Sequence, residues 1–180
     1  MCMFWMTCSL NYTLISFLLK YFPGSINFNS MMSATSELVG TMASGLMLIW
    51  FDARLCLRVS YLLSAVGGML MLSFLKQTNF YHTEQHTFST AQMLQFGGLV
   101  LIVKFGNSAA FNILYCVTSS MFPTLFSITA FSISNFLARS CTFFSPQIAE
   151  IQSYFPIGLM TCLFLVSAVL TNFLHEPNSA

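Results

Sequence analysis

Charge is what this sequence lacks. Only 6% of its 180 residues are charged, as five acids and six bases, whereas soluble domains carry about 25%. With 56% hydrophobic residues, there is too little polar surface to coat a water-soluble globule of this length. The expected solvent is lipid. A formal net charge of +1 gives no reason to suspect nucleic acid. Also missing is any paired or metal-like spacing among Cys2, Cys8, Cys56, Cys116, Cys141 and Cys162. Most of these lie in apolar runs, where a thiol acts as a small hydrophobe. No basic region precedes the first apolar run and no small-residue cleavage pattern follows it, so a cleaved signal peptide is not expected. There is no nucleophile elbow, phosphate loop or dinucleotide fingerprint. An enzyme is therefore not expected, and neither catalytic residues nor a cofactor are assigned. His82-Thr83-Glu84-Gln85-His86 is not the zinc-protease pattern, because Glu84 does not directly follow His82. It reads as a solvated loop, and no metal is expected. The sequon Asn11-Tyr12-Thr13 lies inside an apolar run and is expected to be unused.

Long apolar runs are what the chain does have. A spanning helix needs about 20 mainly apolar residues. Windows at about 2–20, 31–51, 57–76, 92–120, 124–147 and 154–174 qualify, giving an all-α membrane protein with a short polar tail at 177–180. β-barrel strands fit poorly, since the runs are too long and do not alternate. Two windows carry ridges of small residues, Ser36-Gly40-Ser44 and Ser60-Ser64-Gly68. That spacing lets helix backbones approach closely in lipid. Lysine and arginine counts do not orient the chain. Arg54 and Arg58 lie on one side, Lys20 and Lys76 on the other.

Three charges fall well inside the windows: Glu37, Lys104 and Arg139. A charge at the centre of a bilayer helix costs roughly 2.5–3.5 kcal/mol on insertion scales, so something must offset it. At about 1.5 Å per residue, Glu37 is roughly 22 Å from Asp52, while Arg139 and Lys104 are roughly 24 and 28 Å from Pro123. The boundaries at Asp52 and Pro123 lie on one side of the membrane, which puts all three charges at similar depth. Ionisable groups within spans usually face the bundle interior and mark substrate or ion pathways. The plainer alternative is a buried ion pair that fixes packing, Glu37 with either Arg139 or Lys104. One acid cannot neutralise two bases, and the surplus positive charge suits an anionic group on a substrate.

The run VKFGNSAAFNILYCVTSSMFPT and the later NFLARSCTFFSP resemble the tenth and eleventh helices of the organic cation, organic anion and carnitine carriers, in the major facilitator superfamily. Lys104-Phe105-Gly106, Ala109-Ala110-Phe111, Tyr115, Thr118, Pro123-Thr124, Ala138-Arg139 and Pro146 keep the family's order and spacing, and Glu37 and Asp52 also match. The resemblance covers about 2–176 and implies the C-terminal six-helix half of a twelve-helix transporter. Such carriers work by alternating access between two halves. By this mapping the second, fourth and fifth windows face the cavity, and the third and sixth face lipid. The resemblance further implies a cytoplasmic gating loop around Asp52, Arg54, Arg58 and Pro123, and a multi-pass protein of the plasma membrane. Its partners would be a small organic ion, the bilayer, and a missing N-terminal half or another copy of the chain. Arginine at position 139 and a base at 104 resemble the anion and carnitine carriers. On that basis Arg139 would bind a carboxylate as a planar fork. Lys104 would add a second positive charge, and Glu37 would hold either base or meet an ammonium. Tyr115 and Phe111 would offer apolar or cation–π contacts, with plain packing as the alternative.

Ala53, Leu55 and Cys56 stand where the family usually has arginine, glycine and arginine, and Ser120 and Ser127 replace a glutamate and an arginine. These losses bear on the conformational cycle more than on binding. They point to the competing expectation, a non-transporting truncated or degenerate membrane subunit.

Overall fold

The computed structural model describes residues 1–21, 26–78, 90–121, 124–151 and 153–173. Every regular element among them is helical. In chain order these are α1 (Cys2–Leu18), α2 (Ile26–Trp50), α3 (Ala53–Gln77), α4 (Thr90–Met121), α5 (Thr124–Thr142), α6 (Ser145–Ala149) and α7 (Phe155–Leu170), with a 3₁₀ turn at Thr171–Phe173. Among the described helices, three are long and apolar enough to cross a membrane: Ala53–Gln77, Ala91–Ser120 and Phe155–Phe173. Cys2–Leu18 is apolar but shorter.

Local chemistry sets the breaks. Asp52 is extended (φ −60°, ψ 140°) and starts α3 two residues after α2 ends. Its carboxylate lies at the positive end of the α3 helix dipole. The fifth apolar run, 124–147, is divided. α5 stops at Thr142, and α6 opens with Pro146 in its first turn. Proline has no N–H to continue the helical ladder, and it disfavours helical geometry in the residue before it.

α4 is the centre of the bundle. It packs against α2 and α3 most extensively and also touches α1 and α5, while α3 packs on α7 and α1 on α5. Both small-residue ridges are buried. A methyl group on Gly40 would lie 2.9 Å from the Phe105 carbonyl oxygen and 3.2 Å from Ser108 Cβ. On the other side of α4, a methyl on Gly106 would overlap the Ser64 hydroxyl and lie 2.7 Å from the Ser60 carbonyl. α4 is thus held between α2 and α3 at backbone contact, which only glycine permits at these two points. Van der Waals contact of this kind drives helix association where lipid removes the hydrophobic incentive.

Candidate functional site

The wall of the site is built from α1, α2, α4 and α5. A cavity of about 330 Å³ is lined by Ser9, Tyr12, Thr13, Thr41, Ser108, Phe111, Asn112, Asn135 and Arg139. Helical periodicity explains the lining. Ser9, Tyr12 and Thr13 lie three and four apart on α1, Ser108, Phe111 and Asn112 do the same on α4, and Asn135 and Arg139 are four apart on α5. Arg139 is exposed and is the one charged residue in this lining.

Beside the cavity, Lys104 is 1% exposed. Its Nζ lies 2.9 Å from Glu37 Oε1, donates to Ser16 Oγ at 3.0 Å and sits 4.0 Å from the centre of the Tyr12 ring. The Tyr12 hydroxyl donates to Glu37 Oε2 at 3.1 Å. Ser108 donates to the Glu37 backbone carbonyl at 3.3 Å. The ammonium therefore meets a carboxylate, a hydroxyl and an aromatic face, and Tyr12 touches both members of the pair while also lining the cavity. Chemically, Glu37 neutralises Lys104, and Arg139 is left as the cavity's formal charge.

The sequence-assigned residues fall into three groups. Lys104 and Glu37 form the pair, whereas Arg139 and Phe111 share the cavity. Tyr115 is in neither and belongs to an aromatic cluster one turn further along α4. There Trp5 lies 4.7 Å from Tyr115, 4.9 Å from Phe131 and 5.6 Å from Phe111, with its indole N–H donated to Thr118 Oγ1 at 3.1 Å. Asp52, Arg54 and Arg58 line a separate pocket of about 190 Å³ with Leu55. Arg58 also reaches Thr171 (3.5 Å) and the Asn172 side-chain oxygen, tying the start of α3 to the end of α7. Pro123, the His82–His86 segment and the 177–180 tail lie outside the described residues. Asn11 of the sequon is fully buried.

Sequence reasoning missed Tyr12 and Ser16, the two α1 residues that complete the Lys104 environment, together with Trp5 and Asn135. A signal existed. Ser9, Tyr12 and Ser16 form a polar stripe at helical spacing in an otherwise apolar run.

No protein-family model matches the chain. Curated relatives do. Organic cation/carnitine transporter 2 of Homo sapiens is 28% identical over 177 residues, covering 97% of this chain and 29% of that protein. Solute carrier family 22 member 4 of Mus musculus is 26% identical over 181 residues, covering 97% and 30%. Solute carrier family 22 member 21 of Mus musculus is 25% identical over 177 residues, covering 97% and 29%. The chain spans less than a third of the length of these relatives. Along nearly all of its own length, this multi-pass membrane protein is related to the organic cation/carnitine transporters of solute carrier family 22, matching their C-terminal half.

Proposed function

We propose that the chain is the C-terminal six-span half of a twelve-helix carrier that moves small organic ions by alternating access, at the plasma membrane. The favoured substrate is an organic anion, or a zwitterion with a carboxylate. The observation that carries this reading is the cavity wall itself. Arg139 lines it among hydroxyl and amide side chains, while the other base, Lys104, is already matched by Glu37. A guanidinium presents a fork that fits a carboxylate with two parallel hydrogen bonds. Phe111 and Tyr12, also in the lining, would supply apolar and cation–π contacts to the rest of the substrate. The opposite wall would come from an N-terminal half or a second copy. The Asp52–Arg54–Arg58 cluster, together with Pro123, would act at the cytoplasmic gate.

Uptake of labelled p-aminohippurate, carnitine and choline tests this reading in cells expressing the chain alone and joined to an N-terminal half. Uptake of the two carboxylates is expected with the N-terminal half present. Arg139→Gln is expected to lose it by roughly tenfold or more, the scale of one charge-assisted contact. Arg139→Gln transporting as well as the parent would end the carboxylate role. No uptake in either arrangement would overturn the carrier reading.

A further inference from the structure

A second polar site lies in the seam between α1 and α4, away from the cavity lining. Asn11 and Asn107 are both fully buried. Among the described residues, neither the Oδ1 nor the Nδ2 of Asn11 has a protein partner, and neither does Asn107 Oδ1. Asn107 Nδ2 donates to the Cys8 carbonyl at 3.3 Å. Side chains on a helix lean toward its N-terminus and cover the turn before their own Cα. Asn11 follows Cys8 by three residues, so its amide leans over the same turn whose carbonyl holds Asn107. Both amides therefore border the Cys8 turn of α1.

That turn is enclosed by tight contacts. Cys8 Sγ is 3.2 Å from the Tyr61 hydroxyl, and Gly106, next to Asn107, abuts Ser60 and Ser64 of α3. An unmatched amide in such surroundings is costly, most of all in a lipid-embedded bundle. The three unmatched atoms are not alike. Two are acceptors and one is a donor. A metal cation would suit the oxygens but leave the Asn11 amide N–H facing a positive charge. Water both donates and accepts, and buried waters characteristically serve otherwise unsatisfied polar groups of this mixed kind.

We propose that Asn11 and Asn107 together bind ordered water that bridges α1 and α4, donating to Asn107 Oδ1 and accepting from Asn11 Nδ2. The site makes no use of the transport reading.

The direct test is a water-resolving electron cryomicroscopy map of the full chain in a lipid nanodisc, with an antibody fragment as fiducial. Density within about 3.2 Å of both amides is expected. Amides in direct contact with no density between them would overturn the proposal. Thermal unfolding gives a second readout. Asn11→Leu and Asn107→Leu are each expected to lower the midpoint by about 2–4 °C. Their combination is expected to lower it by less than the sum, because the first change already breaks the bridge. Strictly additive losses would count against a shared guest. Replacing sodium chloride with N-methylglucamine chloride is expected to leave the midpoint unchanged. A saturable rise with sodium would overturn water in favour of a cation.

Discussion

Deep in the bundle, the Lys104 ammonium is met by Glu37, Ser16 and the face of Tyr12. Removing one member of a buried pair leaves the other uncompensated, at about 3–5 kcal/mol, whereas replacing both is often close to neutral. Glu37 retains 30% exposure, so its desolvation is incomplete. Lys104→Met is therefore expected near the lower end of that range. Lys104→Met with Glu37→Gln is expected to recover most of the loss in thermal unfolding. A double variant as unstable as the sum of the two singles would show that the groups act independently. Tyr12→Phe removes one hydrogen bond to Glu37 and keeps the ring over Lys104. Its expected cost is about 1 kcal/mol by the same measurement.

At the scale of helices, the contacts that set α2 and α3 against α4 are backbone contacts. Gly40→Val would push a branched side chain into the Phe105 carbonyl and Ser108. The expected loss is about 1–3 kcal/mol or more, seen as a lower unfolding midpoint in detergent. Gly45, one turn further along α2, has nothing among the described residues within 4 Å of where a Cβ would lie. Gly45→Ala is expected to stabilise the helix by about 0.5–1 kcal/mol, since only the glycine entropy cost is removed. Equal responses at the two glycines would mean that α2 does not pack on α4 in this register. The serine and glycine ridges announced these close approaches, because small residues every fourth position mark a packing face. What they packed against was not readable, since spacing on one helix carries no information about its neighbour.

Taken whole, the molecule has an interior built of both apolar and polar side chains and an exterior that is strongly apolar. Met31, Leu38, Met42, Ile49 and Trp50 on α2 are exposed, as are Leu125, Phe126, Ile128 and Phe136 on α5. That much apolar surface is at home in hydrocarbon and not in water. The chain is expected to stay in the membrane pellet after alkaline carbonate extraction. Release into the supernatant would contradict integral insertion. α4, at 32 residues, is about 48 Å long. It exceeds the roughly 30 Å hydrocarbon core, so it must tilt or extend into the headgroups.

The sequence by itself determined the solvent and the all-helical class. Runs of apolar residues with almost no charge can satisfy their backbone groups in lipid only as helices or closed barrels, and the lack of alternation excluded the barrel. It also singled out Glu37, Lys104 and Arg139, because an ionised side chain in an apolar run is conspicuous. Only the tertiary structure decided that Glu37 goes to Lys104 and not to Arg139, that Tyr12 and Ser16 complete that pair, and that Tyr115 meets Trp5 edge to face outside the cavity lining. The physical reason is that pairing depends on how helices are rotated and set in depth against one another. That is fixed by contacts such as Gly40 on Phe105, between residues far apart in the chain, which no local pattern encodes.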